Sequence, residues 1–497
     1  MNQALNIIKN ETLTYNQQVL QLAGQGESTL NVLNIDDKTK TLLEKNIICT
    51  MFEGNAPYRP RYVIPDYEKL MKEGCKFLEL DIPTDIWEAT NNLLIFYKHV
   101  PSITSYPVYL GNIDDLLEPF VKDEEEAYKA IKLYLKHIDR TLTDSFVHAN
   151  IGPIDTKAGR LILKAMRELQ CAVPNLTVKY DKDLTSKEFI TLCAQTSLST
   201  AKPSFANHKM DVVDFKTEKY ALASCYNGFL IGGGGYTLVR LVLSRLAEES
   251  SSVDDFLENK IPFVTQKMLE YIDERIRFLV EEAAFFKSNF LVLEGFIKKD
   301  LFSGMFGIVG LAEAVNHLLN ATNQEDRFGY SKEANELGLR IIENINSIVT
   351  SHKSKYTGCF DGQHLMHAQV GIDTDTGISP GCRIPVGEEP ELFKHIIQSA
   401  PYHKYFFNGI GDIFVFEDTY KDNPEAIVNV IDGAFKTGIR YISAYSDSSD
   451  VVRVTGYLVK KSEVNQLENK KAVKNNATVF GMNAKHGSKA FDRKRRA

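Results

Sequence analysis

A glycine near the carboxyl end of the chain and a cysteine far upstream are the residues best suited to chemistry. Gly456 lies between Thr455 and Tyr457, after a run of valines. Glycine has two α-hydrogens and no Cβ, so losing one hydrogen atom leaves a carbon that can flatten and share its unpaired electron with the flanking amides. A buried thiol could accept that radical and pass it to a substrate. The alternative is a β-strand that ends in an ordinary glycine turn.

Cys225 is the thiol that fits this role. It lies in the sequence Ala-Ser-Cys-Tyr-Asn-Gly at 223–228, where small residues and glycine predict a tight loop. Thiyl chemistry requires such a loop in a cavity that excludes water. A packed core cysteine is the alternative. The uncharged segment 220–239 is as long as a membrane span, but Asn227 and five glycines indicate a buried strand, loop and helix instead.

Composition indicates an ordinary globular protein. The chain has 497 residues, of which 43% are apolar and 25% charged, and its net charge of −7 gives no signature of nucleic-acid binding. Seven scattered cysteines without a Cys-x-x-Cys pair predict reduced thiols and a cytoplasmic location. The amino terminus lacks a long apolar signal region, so no export is expected. The basic ending at 492–497 is interpreted as a solvated terminus.

Hydrophobic periodicity predicts helices that alternate with strands, and therefore an α/β fold. Helices are predicted at 123–137, Lys157–Leu169, 254–286 and Lys332–Ser351. Strands are predicted at 146–153, 176–180, 290–293, 412–417 and 440–445. Thr185, with Glu188 three residues later, predicts a capping box at the start of another helix. The Gly232–Gly235 run could cradle a phosphate, but a hairpin or a close backbone approach is favoured because the run lacks the P-loop Lys-Ser/Thr.

Several stretches resemble glycyl radical enzymes. The string Arg-Val-Thr-Gly-Tyr at 453–457 resembles their Arg-Val-x-Gly-Tyr signature. Cys225 with the stretch 232–247 resembles the active-site cysteine loop and following strand of anaerobic ribonucleotide reductases, and 307–314 is similar to a glycine-containing segment of that group. The length and spacing of nearly the whole chain, including 150–153 and 202–208, resemble the YjjI family of glycyl radical enzymes most closely.

The resemblance implies a ten-stranded α/β barrel in which the Cys225 loop and the Gly456 loop meet at the centre. It implies a single domain, 1–497, with a mostly helical amino-terminal part at 1–120 and a glycyl radical region at 440–497. No bound cofactor is expected. The radical on Gly456 would be installed by a radical S-adenosylmethionine activase, and Cys225 would then abstract hydrogen from a small organic substrate. Lyase, dehydratase and reductase outcomes all stay open.

The sequence also departs from two relatives of known type. Where anaerobic ribonucleotide reductases carry Asn-Leu-Pro-Arg, this chain has Val-Leu-Ser-Arg at 242–245, and an apolar residue cannot replace the hydrogen bonds of asparagine. No cysteine follows Cys382, so their four-cysteine zinc site is missing. Cys225 also has no neighbouring cysteine, unlike pyruvate formate-lyase. A divergent ribonucleotide reductase and a non-catalytic radical-domain scaffold are kept as alternatives.

Four further residues are candidates for contact with substrate. His208 and Glu313 could act as acid, base or substrate-orienting groups, although a satisfied buried polar group is an equal alternative for each. Cys382 and Arg383 lie in 379–385, a stretch that could line the substrate cavity, with Arg383 meeting an anion. A plain surface loop explains that stretch equally well.

No metal is expected. Cys359, His364 and His367 could ligate zinc, but only three candidate ligands occur and their spacing is irregular. The expected partners are the activase, a small-molecule substrate and a second copy of the chain in a homodimer. Neither nucleic acid nor a membrane is expected as a partner.

Overall fold

Two β-sheets and two hairpins position the residues singled out above. The computed structural model describes residues 3–51, 53–104, 106–368, 377–478, 491 and 493–496. Its strands are β1 Ile48–Thr50, β2 Tyr62–Ile64, β3 His148–Ile151, β4 Asn175–Tyr180, β5 Ser204–Asn207, β6 Tyr220–Ala223, β7 Asn227–Leu230, β8 Gly233–Val242, β9 Phe302–Val309, β10 Leu365–Ala368, β11 Asp412–Phe416, β12 Tyr441–Ser446, β13 Val451–Arg453, β14 Leu458–Lys460 and β15 Arg495–Arg496.

Helices surround the sheets. They are α1 Gln3–Ile8, α2 Tyr15–Ser28, α3 Asp37–Glu44, α4 Tyr67–Glu73, α5 Ile86–Tyr97, α6 Ile113–Leu117, α7 Glu124–Thr141, α8 Lys157–Leu169, α9 Lys187–Thr200, α10 His208–Phe215, α11 Leu243–Glu248, α12 Val253–Asp255, α13 Ile261–Arg277, α14 Phe285–Ser288, α15 Phe290–Leu293, α16 Leu311–Leu318, α17 Lys332–Ser351, α18 Leu392–His403, α19 Pro424–Lys436 and α20 Lys461–Glu468. Short 3-10 turns lie at Glu118–Phe120, Lys299–Leu301, Gln324–Asp326, Phe360–Gly362 and Asp418–Lys421, and π turns at Phe256–Lys260 and Phe278–Glu282. Across the described ranges, no helix is long and apolar enough to cross a membrane.

Each sheet contains a core of parallel strands. The first has the order β1–β8–β9–β10, with β2 also on β8; β8, β9 and β10 are parallel, and β1 and β2 are antiparallel to β8. The second has the order β15–β11–β12–β5–β4–β3, in which β3, β4 and β5 are parallel and β12 is antiparallel to β5. Apart from the two-residue tail strand β15, each sheet has five strands. The predicted α/β architecture with ten strands is confirmed; these ten strands hydrogen bond as two sheets, and β6–β7 and β13–β14 form two separate hairpins.

The hairpin β6–β7 is held on both of its strands by residues of the second sheet or next to it. Asn150 of β3 exchanges two hydrogen bonds with Leu222, its Nδ2 donating at 2.8 Å and its Oδ1 accepting at 2.9 Å. On the other strand, Gly228 exchanges two bonds with Asn408, which lies just before β11. Because both arms are fixed, the turn between them, which carries Cys225, has a defined place in the interior.

The uncharged segment folds differently from the prediction. Instead of strand, loop and helix, 220–242 forms the three strands β6, β7 and β8, and the next helix begins only at Leu243. The glycine run lies at the start of β8, where a Cβ on Gly233 would overlap the Leu301 carbonyl and one on Gly234 the Tyr62 carbonyl. The glycines therefore allow close backbone approach, as one of the two favoured interpretations held.

Most predicted helices and strands are present. The bounds of α8 and α17 agree with the prediction, and the stretch predicted helical from 254 is helical from Val253 to Glu282 through α12, α13 and two π turns. The predicted strand at 290–293 is wrong. This run is the helical turn α15, which starts where the Asn289 side chain accepts a bond from the backbone N–H of Leu291.

The predicted capping residue is off by one position. Ser186, rather than Thr185, caps α9, because its Oγ accepts from the backbone N–H of Phe189 at 3.1 Å. The Thr185 hydroxyl instead donates to the carbonyl of Pro153. This bond fastens the loop between β4 and α9 to the loop that follows β3.

A buried ion triad joins α13 to the first sheet. Glu53 pairs with Arg61 at 2.9 Å and with Arg275 of α13 at 3.0 Å, and all three side chains are at most about 5% exposed. Glu53 also accepts bonds from the Thr237 hydroxyl and the backbone N–H of Leu238 in β8. Burial raises the pKa of Glu53. The positive charges of Arg275 and Arg61 outweigh this effect and hold the pKa of Glu53 below its ordinary value.

Candidate active site

Gly456 and Cys225 are in contact. Gly456 lies in the turn between β13 and β14, which pair antiparallel, and Cys225 lies in the turn between β6 and β7. A Cβ added to Gly456 would lie 2.6 Å from Cys225 Sγ and would overlap the Cys225 Cβ. Since a carbon–carbon bond is about 1.5 Å long, the α-carbon of Gly456 is within about 4 Å of the sulphur. The α-hydrogen that occupies the side-chain position of an L-residue faces Cys225.

The pair is shielded from water. Cys225 is 3% exposed and Gly456 is buried. Burial raises the pKa of the Cys225 thiol to about 12, since a thiolate is poorly solvated there. The sulphur therefore keeps its hydrogen at neutral pH. Such a thiol is suited to hydrogen-atom transfer rather than to ionic nucleophilic attack.

Two side chains hold the carbonyl of Gly456. Asn175 Nδ2 donates to it at 3.1 Å and Arg453 Nη1 at 3.3 Å. Arg453 also donates to Asn175 Oδ1 at 3.0 Å and to the carbonyl of Ala201 at 3.0 Å. Burial lowers the pKa of Arg453. These donors lie at a carbonyl oxygen over which an unpaired electron on the Gly456 α-carbon would delocalise.

A chain of polar groups fixes the turn that carries Cys225. His148 Nδ1 donates to the carbonyl of Ser224 at 3.0 Å, which leaves Nε2 to accept from the Thr177 hydroxyl at 2.8 Å. The Tyr441 hydroxyl lies 2.8 Å from Thr177 Oγ1 and 3.1 Å from the carbonyl of Cys225. Burial lowers the pKa of His148 to about 3, so the imidazole is neutral. The chain links β3, β4 and β12 to the tip of the hairpin.

Arg383 is the predicted substrate-binding residue that the structure places beside the pair. The ring of Tyr226 lies against Gly456, with Cε1 3.3 Å from the side-chain position, and its hydroxyl donates to the carbonyl of Ala368. The Arg383 guanidinium carbon is 5.5 Å from the centre of that ring. Its Nε donates to the carbonyl of Gly411 at 2.6 Å, whereas its buried Nη1 has no hydrogen-bond partner within the described part of the chain.

His208 lies at the other end of the hairpin. It is 5% exposed, and its Nδ1 is 2.9 Å from the hydroxyl of Tyr220, the first residue of β6. With Lys179 it lines a cavity of about 370 Å³ at the carboxyl ends of β3 and β4. The length of β6, Tyr220–Ala223, roughly 10 Å of extended chain, separates Tyr220 from the turn that carries Cys225. The structure thus does not bring His208 to the Gly456–Cys225 pair.

Glu313 and Cys382 lie at the carboxyl ends of the first sheet's parallel strands. Glu313, in the first turn of α16, accepts bonds from the backbone N–H of Ser379 at 3.0 Å and from its hydroxyl at 2.6 Å, while its buried Oε2 has no partner among the residues described. Burial raises the pKa of Glu313. Cys382 is 6% exposed, and burial raises the pKa of its thiol well above the ordinary value. Within the described residues, neither side chain forms a hydrogen bond with Cys225.

The three residues weighed as metal ligands are not assembled. Cys359 donates to the carbonyl of Phe302, and His367 Nδ1 lies 3.3 Å from the carbonyl of Asn408. His364 instead joins Asp273 and His352, whose possible ligand atoms all lie within 4.8 Å of one another. Within that group the Asp273 carboxylate accepts bonds from both imidazoles, at 2.8 and 3.0 Å.

Sequence reasoning missed most of the residues around the pair. The structure adds Asn175, His148, Thr177, Tyr226 and Tyr441. No local pattern distinguishes them, because each contact joins residues far apart along the chain. Tyr226 alone had a signal, since it follows Cys225 directly.

Solved structures share this fold. The anaerobic ribonucleotide reductase of Thermotoga maritima in complex with dATP and CTP matches with a TM-score of 0.69 and 12% identity, over 94% of this chain and 91% of that chain. The B12-independent glycerol dehydratase of Clostridium butyricum, in its glycerol-bound form, matches with a TM-score of 0.66 and 11% identity, over 97% and 84%. A glycyl radical enzyme from Archaeoglobus fulgidus also matches, with a TM-score of 0.61 and 12% identity over 83% of this chain and 68% of that chain, so the fold is one that glycyl radical enzymes adopt.

Sequence comparison narrows the class. The model of the family described as "Glycyl radical enzyme YjjI-like" matches residues 13–496. An uncharacterized protein of Haemophilus influenzae is 46% identical over 99% of this chain and 97% of its own length, and the Escherichia coli K12 protein YjjI is 39% identical over 99% and 95%. The chain belongs to the YjjI-like family of glycyl radical enzymes.

Proposed function

We propose that this protein is a radical enzyme in which Gly456 stores the radical and Cys225 delivers it to a small organic substrate. The observation that carries the proposal is the buried contact between the Gly456 α-carbon and Cys225 Sγ, in a chain of this family. Hydrogen-atom transfer needs such proximity and an environment without water.

The steps balance without an external oxidant or reductant. The Gly456 radical takes the hydrogen atom of the Cys225 S–H bond, which gives glycine and a thiyl radical. The thiyl takes a hydrogen atom from a C–H bond of the substrate and becomes a thiol again. The substrate radical rearranges or eliminates, the product radical recovers the hydrogen from Cys225, and the new thiyl retakes hydrogen from Gly456. The protein contributes positioning and exclusion of water.

The surrounding side chains support these roles. Asn175 and Arg453 fix the Gly456 carbonyl, and the chain from His148 to Tyr441 fixes the turn of Cys225. A separate S-adenosylmethionine-dependent activase would remove the first hydrogen atom from Gly456. We further propose that the protein is cytoplasmic, in keeping with its free cysteines, and that it forms a homodimer.

Electron paramagnetic resonance of the activated, oxygen-free protein tests the relay. Wild type should show a doublet, because one α-hydrogen remains on the Gly456 radical. The doublet should be absent from Gly456→Ala and present in Cys225→Ala. Gly433→Ala is the matched control, since a Cβ there meets nothing within 4 Å, and it should behave as wild type. A doublet in activated Gly456→Ala would contradict the proposal.

Heavy water separates storage of the radical from its transfer. The Cys225 thiol exchanges its hydrogen with solvent, so repeated transfer would carry deuterium onto Gly456 and collapse the doublet to a singlet. Cys225→Ala should keep its doublet under the same conditions. A doublet that persists in the wild-type protein would show that Gly456 and Cys225 do not exchange hydrogen.

Two alternatives make different predictions. A scaffold without catalysis has no need for a thiol against the glycine, so the observed contact favours an enzyme. A divergent ribonucleotide reductase would bind nucleotides close to Cys225. Isothermal titration with CTP tests this alternative. It would be favoured if the wild-type protein bound CTP and Cys225→Ala bound it more weakly.

A further inference from the structure

Arg383 has one guanidinium nitrogen, Nε, in a hydrogen bond and another, Nη1, that is buried without a partner in the described part of the chain. Its Nε donates to the carbonyl of Gly411 at 2.6 Å, and its guanidinium lies against the ring of Tyr226. Its Nη1 is buried without a hydrogen-bond partner, and no ion pair joins Arg383 to a carboxylate in the described ranges. A buried, unpartnered N–H of a charged group is costly unless a ligand or water satisfies it.

Two further guanidiniums lie near Arg383. Arg453 is fully buried and bonds to two carbonyls and an amide oxygen, and Arg493 donates to the carbonyls of Arg453 and Val454. These guanidiniums lie close enough to Arg383 for mutual repulsion to lower the pKa values of Arg453 and Arg493, after burial as the larger cause. Three guanidiniums, those of Arg383, Arg453 and Arg493, therefore lie near the pair, and the negative charge of Glu389 acts on that of Arg493.

The carboxylates near Arg383 each interact with other groups. Asp412 follows Gly411, but its oxygens are taken by His395 at 3.5 Å, His403 at 3.4 Å and the Ser399 hydroxyl. Glu389 accepts from the backbone N–H of Gly387 at 2.8 Å. Asp144 accepts from the backbone N–H of Phe146 at 2.9 Å.

We propose that the substrate is a small carboxylic acid whose carboxylate binds Nη1 of Arg383 while its reacting carbon contacts Cys225. This rests on the proposed function. Arg383 lies against the Tyr226 ring, whose Cε1 is 3.3 Å from the side-chain position of Gly456, so an acid of a few carbons would reach from Nη1 to Cys225 alongside that ring. The buried Nη1 offers a charge-assisted donor that suits a singly charged carboxylate, whereas a phosphate dianion would need further donors.

Titration calorimetry of the oxygen-free, unactivated full chain tests the proposal with matched pairs of compounds. Each pair shares a carbon skeleton with and without a carboxylate: glycerate and glycerol, 3-hydroxybutyrate and 1,3-butanediol, glutarate and 1,5-pentanediol. Inorganic phosphate forms a separate arm. At least one acid should bind at least about tenfold more tightly than its alcohol, since a charge-assisted bond is lost in the alcohol.

Variants assign the difference to Arg383. Arg383→Gln should weaken the preferred acid by at least about tenfold, and Arg383→Lys, which keeps the charge but not the planar fork, should weaken it less. Arg327→Gln removes a half-exposed arginine that pairs with Glu388 and should change nothing. Acids that bind no better than alcohols, phosphate as the only ligand, or an affinity unaffected by Arg383→Gln would each overturn the proposal.

The radical signal keeps this test separate from the test of the function. Arg383 does not touch Gly456, so activated Arg383→Gln should show the same glycine doublet as wild type. A normal doublet with no selective acid binding would refute the carboxylate alone. Absence of the doublet in wild type would refute the proposed function whatever the binding result.

Discussion

Gly456 must be a glycine for two independent reasons. A radical at its α-carbon is favoured by the absence of a side chain, and any Cβ would collide with Cys225. The second reason is purely steric and does not depend on catalysis. The five-residue signature pointed to the position, but nothing in it indicated that the cysteine 231 residues upstream would supply the collision.

Exchange between Gly456 and Cys225 should not depend on pH across the neutral range. With a thiol pKa of about 12, the S–H form persists up to alkaline pH. The rate at which heavy water collapses the doublet should be flat from about pH 6 to about pH 9. A rate that falls with an apparent pKa near that of a free cysteine, about 8.5, would contradict a buried thiol.

Asp144 should make the protein less stable as pH rises. Burial raises its pKa to about 7, above the ordinary value of about 3.9, so the folded state prefers the protonated form. The protonated Asp144 carboxyl therefore stabilises the folded state fully below its ordinary pKa. This stabilisation is lost as pH rises through about 7. Asp144→Asn should therefore be more stable than wild type at pH 8, on the order of 2–4 kcal/mol, with the gain vanishing near pH 4.

Urea unfolding at several pH values measures this difference. The exposed Asp326 gives a control, since Asp326→Asn should shift the unfolding midpoint little and equally at each pH. A gain for Asp144→Asn that is constant from pH 4 to pH 8 would mean that the carboxyl does not titrate abnormally.

At the scale of elements, sequence patterns specified the regular helices and failed at the hairpin. In α8 the apolar residues follow the helical period, and Thr156 caps the start by accepting from the backbone N–H of Gly159. Phe290–Leu293 is only four residues long, and such an apolar run has no period that separates strand from helix. In β6–β7 the pairing depends on Asn150 and Asn408, which lie far away in sequence.

The backbone of Ser224 should reveal how tightly that hairpin is fixed. Ser224 has a left-handed φ of 58° just before Cys225. Ser224→Gly removes the backbone strain of the folded state, but the glycine also raises the conformational entropy of the unfolded chain. Because the two effects oppose each other, the unfolding free energy should lie within about 1 kcal/mol of wild type. Ser224→Val should lose at least about 1–2 kcal/mol, because a β-branched residue disfavours this region. Equal stability of the two variants by urea unfolding would show that the turn relaxes.

Glu53 should be a major fastening between α13 and the first sheet. Glu53→Gln removes the charge between two buried guanidiniums and should destabilise by about 3–5 kcal/mol. Glu249→Gln is the matched control: its pair with Lys45 is largely exposed, so the loss should be below about 1 kcal/mol. Similar losses for both variants in chemical denaturation would rule out a special role for the triad.

At the scale of the whole molecule, the site is assembled from segments that share no local sequence signal. The Cys225 hairpin is held by Asn150 and Asn408, while the turn of Gly456 is fixed by Asn175 of β4, a contact between residues 281 positions apart. Local periodicity predicts α8 or α17, but such a contact follows only from the complete fold. The family resemblance supplied what local patterns could not, namely that the two turns meet.

Exposure of the activated protein to air should cut the chain at Gly456 and leave the larger piece folded. Oxygen adds to a carbon radical, so intact-mass spectrometry should show fragments corresponding to about residues 1–455 and 457–497. All ten strands of the two sheets apart from the tail strand β15 end by Ser446, before the cut. The larger fragment should therefore keep its circular dichroism spectrum, while loss of the smaller one should open Cys225 to iodoacetamide. Cys225→Ala should still be cut and Gly456→Ala should not; cleavage of Gly456→Ala at the same place would locate the radical elsewhere.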